Sequence, residues 1–78
     1  MQKIRSDKTI DASTLAPPLP VLHAQRALKE LRSGQVLRVI GQSGQTATDF
    51  HDFSKLTGNP VHTEKDEEGH LFFLVQKR

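Results

Sequence analysis

Apolar residues recur along this chain in two rhythms, and the switches between them mark the elements. In "KTIDA", Lys8–Ala12, one apolar side chain, Ile10, stands between polar neighbours, as in a short strand that carries it inward. "STLAPPLP" interrupts any period. Each proline pushes the residue before it away from helical angles, so the segment predicts a loop. From Pro20 onward Val21, Ala24, Leu28 and Leu31, with Ala27 beside them, return at three- and four-residue steps, which is one face of a helix. Arg26 and Glu30 stand a turn apart as a favourable pair, contributing about 0.3 kcal/mol. "SGQ", Ser33–Gln35, predicts the end of this helix, with Gly34 suited to a left-handed cap.

"QVLRVIG" is rich in β-branched residues and predicts a strand, and the polar "GQSGQ" predicts a loop after it. Thr46, with Asp49 three places on, approximates a capping box in which Asp replaces the usual Glu or Gln. Phe50, Phe53 and Leu56 give the second helix an apolar face, and Gly58 ends it. Pro60 opens a strand through His62 and Glu64, "DEEG" reads as a hairpin turn, and "HLFFLVQKR" carries the strongest strand signal. The order is β-α-β-α-β-β. It predicts an α/β (α+β) two-layer sandwich, a four-stranded mixed sheet with both helices on one face. Residues 1–7 are expected to form a flexible N-terminus and residues 8–78 a single domain.

One sheet face is then left bare. By alternation Leu71, Phe73 and Val75 lie under the helices, while Phe72 and Leu74 point to the open side, where Val36 and Ile40 join them. Such a patch marks an interface, either with a second copy or with another protein. The competing readings are that the faces are reversed, or that the strand is buried on both sides.

Composition narrows the chemistry. A chain of 78 residues holds one core. No run of about 18 apolar residues is present to span a membrane. "MQKIRSDKTID" has no apolar core of a secretory signal, so a cytoplasmic protein is expected. There is no cysteine, which excludes disulfides, thiolate metal sites and a sulfur nucleophile within the sequence. The net charge of +2 does not demand nucleic acid. Arg26, Lys29 and Arg32 do form a basic stripe on neighbouring turns, suited to phosphates, to an acidic partner or simply to solvent. With no tyrosine or tryptophan to stack on bases, an RNA-binding role is the weaker alternative.

Four histidines, His23, His51, His62 and His70, share no ligand spacing, so they read as solvated or structural and no metal is expected. His51 and Asp52 point apart on a helix, and neither Ser43 nor Ser54 has an evident base, so no catalytic dyad emerges. "GQSGQT" before a helix could cradle an anion, but it is neither a Walker loop nor a dinucleotide fingerprint. A polar turn with a cap is the plainer reading. No cofactor is expected.

Taken in order, "TIDASTLAPPLPVLHAQRALKELRSGQVLRVIG" resembles the opening of the TusA/SirA/YedF family of small sulfur-carrier proteins: a strand ending in Asp-Ala, a loop, Cys-Pro-x-Pro, a helix, a glycine and a strand. Asp11-Ala12, Pro18-Leu19-Pro20, the "ALKEL" helix end and Gly34 carry the likeness. Asp49, Phe53 and Gly58 fall where the family has its second helix, and "GHLFFLVQKR" matches its last strand. The resemblance spans Thr9 to Lys77. The family's cysteine position holds Pro17, its Arg-Gly holds Ser13-Thr14, and its Asp-Pro-Gly-Ser loop reads Ser43-Gly44-Gln45-Thr46.

The resemblance implies that a thiol at the helix start accepts a persulfide and passes it on. Proline at position 17 offers no nucleophile, no general base and no N–H donor, so the chain alone is not expected to relay sulfur or to be an enzyme. Pro18 and Pro20 pre-set backbone angles for the first helical turn. They serve helix geometry alone, or also a retained docking surface. An SH3-type ligand would need this stretch extended, which the helix beginning at Pro20 argues against. The resemblance thus implies a non-catalytic protein partner in sulfur trafficking, with Pro18 and Pro20 as candidate docking residues; the basic stripe adds Arg26, Lys29 and Arg32, and the open sheet face adds Phe72 and Leu74. The RNA alternative gains from the family's likeness to the C-terminal domain of a bacterial translation initiation factor. A sulfurtransferase working through an unexpected residue is the third reading.

Overall fold

The computed structural model describes residues 6–42 and 44–78. The elements follow in the order β1 (Lys8–Asp11), α1 (Leu19–Leu28), β2 (Val36–Gly41), α2 (Gly44–Thr57), β3 (Val61–Lys65) and β4 (Leu71–Gln76). The strands form one mixed sheet in the order β1-β2-β4-β3. β1 runs parallel to β2, as the intervening helix requires, and the other two pairings are antiparallel. No helix among the described residues is long and apolar enough to cross a membrane. Of the expected flexible N-terminus, the first five positions lie outside the described residues. Asp7 departs from that expectation: its amide donates to the Val36 carbonyl and its carboxylate accepts the Val36 amide, both at 2.8 Å.

Alternation along β2 sets the layers. Leu37 and Val39 are completely buried beneath the helices, and Phe73 and Val75 stand beside them on β4, in register with Val39 and Leu37. Ala24, Ala27 and Leu28 of α1 and Phe50 and Phe53 of α2 close this core. Phe50 stacks on Phe73 at 4.7 Å and meets Phe53 edge-on at 6.4 Å. Gly41 is part of the same fit: a Cβ there would stand 2.8 Å from the Phe73 ring.

Three local expectations are corrected. The periodicity through Leu31 predicts a longer first helix, but α1 ends at Leu28. Beyond it the amides of Glu30 and Leu31 reach back only three residues, to Ala27 and Leu28, so the coil tightens while Leu31 still packs on the core. The Lys77 ammonium donates to the Leu28 carbonyl at 2.7 Å and caps the helix there. Gly34 is left-handed, with φ 89°, but it belongs to the turn into β2, where its amide donates to the Lys77 carbonyl. The Arg26–Glu30 pair is likewise replaced, since Glu30 binds Lys8 across the layers at 2.6 Å.

In the second helix Thr46 is buried inside the first turn instead of preceding it, so the capping box does not form. The helix starts earlier than expected, and Asp49 accepts from the Gln45 side chain one turn away at 2.9 Å. Leu56 is 87% exposed, not part of the apolar face. Steps of three residues fall about 60° short of a full turn each, so two steps from Phe50 carry Leu56 off the face. Gly58 ends the helix as expected, with φ 78° and its amide on the Ser54 carbonyl.

The sheet's outer face is less open than the alternation suggests. Phe72 and Leu74 do point there, opposite Ile40 and Arg38. Leu74, however, is only 6% exposed, and the Arg38 guanidinium lies 4.4 Å over the Phe72 ring. A long cationic side chain thus covers part of the apolar patch, and Val36, Ile40 and Phe72 stay half-buried.

Candidate functional site

The start of α1 is built by the chain leaving β1. Ala12 is buried and donates its amide to Ile40, which fixes the end of the strand. Asp11 then turns the chain: one carboxylate oxygen accepts the Ser13 hydroxyl at 2.6 Å and the Ser13 amide at 3.0 Å. The hydroxyl contact first, and then the amide, hold the Asp11 carboxyl below its usual range against a small opposing effect of desolvation. Ser13 is therefore not activated as a nucleophile, because its proton rests on a weak base.

The prolines divide their work. Pro20 is fully buried against the core at the second helical position, whereas Pro17 and Pro18 are exposed and joined by a cis peptide bond. Pro18 occupies the cap position with no side-chain hydrogen bond, and no acidic residue stands in the first turn. Of residues 19–22 only Leu19, Val21 and Leu22 carry amide hydrogens. Leu19 and Leu22 already donate, to the Ala16 and Pro18 carbonyls. A helix start that commonly favours anions offers little for one here. What it presents is apolar: Leu19 and Leu22 are 42% and 51% exposed and, three apart, share one side of the helix next to Pro17 and Pro18. Sequence reading missed both leucines. The available signal was that neither lies on the buried Val21–Ala24–Leu28 face.

The other candidates are dispersed. Arg26 and Lys29 are exposed on neighbouring turns and border one groove between the helices, but Arg32 does not line it. Phe72 and Leu74 lie on the far side of the sheet from the helix layer. In the "GQSGQT" segment Ser43 lies outside the described residues, and Gly44 to Thr46 are the first turn of α2. His23 and His51 are exposed on separate helices, and His62 stands 3.5 Å from Glu64. At the hairpin turn, Asp66, Glu68 and His70 are gathered with ligand-type atoms within 4.8 Å of one another, a juxtaposition not anticipated from the spacing. Asp66 there accepts the amides of Glu68 and His70 and one imidazole nitrogen at 3.0 Å. Desolvation acts to raise its carboxyl, but these hydrogen bonds and the imidazole outweigh it and hold it below the ordinary value.

The comparisons with known proteins agree with this layout. A family model described as "Sulfurtransferase TusA" matches residues 8–77. The sulfur carrier protein TusA of Allochromatium vinosum is 44% identical over 71 residues, covering 91% of this chain and 93% of that protein. A putative sulfur carrier protein, YrkI of Bacillus subtilis, is 36% identical over 74 residues, covering 95% and 99%. Among solved structures, the SirA-like protein from Desulfitobacterium hafniense superposes with a TM-score of 0.81 over 88% of this chain and 95% of its own, at 24% identity, which speaks for the fold.

Proposed function

The chain belongs to the TusA family of sulfur carriers, and from that premise we propose that it is a non-catalytic partner in sulfur trafficking, one that docks where a carrier docks but holds no sulfur. The observation that carries this reading is the apolar, nucleophile-free tip at the start of α1. A persulfide carrier needs a thiolate at that place, and Pro17 stands there in a chain with no cysteine at all. The tip is nevertheless shaped and exposed: two surface prolines lead into, and two surface leucines project from, a helix anchored by buried Pro20, Ala24 and Ala27. Exposed apolar side chains grouped on a rigid element fit a docking contact better than a solvated helix start. By occupying the carrier's place on a sulfur donor or acceptor, such a protein lowers sulfur flux.

A competition assay tests this. A cysteine desulfurase loads a cysteine-bearing TusA protein with sulfur while this chain is added in increasing amounts. Loading of the carrier is expected to fall, and a Leu19→Asp, Leu22→Asp double variant is expected to leave it unaffected. Unchanged loading at a large excess of the folded chain would refute the role.

A further inference from the structure

The face of the sheet turned away from the helices carries an ordered pattern of side chains. Val36, Arg38 and Ile40 of β2 point there, because Leu37 and Val39 between them are buried in the core. Strand register then lines the outward residues up in rows across the sheet. One row runs Asp11, Ile40, Phe72, Glu64, and the next runs Thr9, Arg38, Leu74, His62. The two acids stand at the ends of the first row, and both basic groups stand in the second. Ile40 and Phe72 are half-buried on this side, and beside them Val36, Leu74, Pro60 and His62 border a hollow of about 220 Å³.

We propose that this face pairs with the same face of a second copy of the chain, about a two-fold axis lying between the sheets and across the strands. Stacked sheets keep their strands within about 30° of alignment, so the axis runs either across the strands or along them. The axis across the strands sets each strand over itself and exchanges the two rows. Glu64 of one copy then faces His62 of the other, whose imidazole donates to a carboxylate whether neutral or protonated. Phe72 faces Leu74 at the edge of the hollow, Ile40 faces the aliphatic stem of Arg38, and Asp11 falls over Thr9, the neighbour of Arg38. Each acid of one copy thus meets or adjoins a basic group of the other. The axis along the strands instead sets Asp11 over Glu64, a like-charge contact that disfavours it. Four strands spaced about 4.8 Å apart and six residues long outline about 400 Å². Stable complexes bury about 800 Å² per partner, so the pairing is weak and depends on concentration. Both helix layers then face outward with their α1 tips free, and the pairing does not rest on the role proposed above.

Sedimentation equilibrium of the full chain, from about 10 µM to about 1 mM, tests this. The weight-average mass is expected to climb with concentration from 8.7 kDa towards twice that value. Phe72→Thr, which keeps a strand-favouring residue, is expected to weaken the association at least about tenfold. Glu64 and His62 are exposed on the edge strand, so their variants are expected to fold, and circular dichroism checks that. Glu64→Lys is expected to weaken association about fivefold, and adding His62→Glu to restore it, because opposite charges face each other again. A mass that stays at 8.7 kDa throughout would overturn the proposal. So would association that Phe72→Thr or Glu64→Lys leaves unchanged, that His62→Glu fails to restore, or that is lost in the Leu19→Asp, Leu22→Asp variant of the tip.

Discussion

At the scale of single residues, position 17 carries the greatest consequence. Proline there offers neither a thiol nor an amide hydrogen, and the surrounding contacts supply neither: Ser13 is engaged with Asp11, and two of the three amides of the first turn are already donated. The prolines at 18 and 20 are legible from sequence because a fixed φ near the start of a helix is a local property. Leu19 and Leu22 are not, because whether an apolar side chain is covered depends on what the rest of the chain brings to it. The exposed carboxylates give a residue-scale prediction. Asp11, Glu30 and Asp66 are all held below their ordinary values, the first by Ser13, the second by Lys8. A depressed folded-state value means stabilisation that is complete above the ordinary carboxylate range of about 4 and lost as pH falls through the lowered values. The urea midpoint is therefore expected to drop on acidification below about pH 4. The deficit of an Asp66→Ala variant against the parent is expected to shrink over the same interval. A deficit independent of pH would contradict the ionic part of the turn.

At the scale of elements, the six secondary structures and their order were readable because the helices, β2 and β4 carry strong apolar patterns and turn or breaker residues separate the elements. The ends themselves were less readable. α1 ends where the Lys77 ammonium, just past β4 and 49 residues away, meets the Leu28 carbonyl. α2 begins before its apparent cap because buried Thr46 is held inside the fold. Leu56 shows the limit of counting steps: an apolar residue three after Phe53 rotates off the core, and Thr57, four after it, is the half-buried position. Phe53→Ala is accordingly expected to cost about 3–5 kcal/mol of stability, and Leu56→Ser within about 0.5 kcal/mol, as read from denaturant midpoints. Equal losses at the two positions would mean that the second helix packs with a different face.

At the scale of the whole molecule, one layer of two helices on a four-stranded sheet leaves three distinct surfaces. The outer sheet face, a candidate interface from its alternation, is partly covered by Arg38 over Phe72 and by burial of Leu74, while Val36, Ile40 and Phe72 stay half-buried. Sequence could not reveal that cover, because it arises from a pair across neighbouring strands. The helix layer offers the apolar tip at the start of α1 and, adjoining it at Leu22, the groove between the helices bordered by Arg26 and Lys29. A chain with the fold and family of a sulfur carrier thus has proline at position 17, before its first helix, and no cysteine anywhere in its sequence.

The most direct measurement restores that atom. A Pro17→Cys variant, incubated with a cysteine desulfurase and free cysteine, is followed by intact-mass spectrometry. The thiolate at position 17 attacks the outer sulfur of the desulfurase persulfide, the S–S bond there breaks, and the desulfurase leaves as its own thiolate. The docking account predicts that the variant gains the mass of one sulfur atom, removable by a reductant, while the parent chain gains none. A folded variant that remains unloaded, under conditions where a cysteine-bearing TusA protein is loaded, would contradict it.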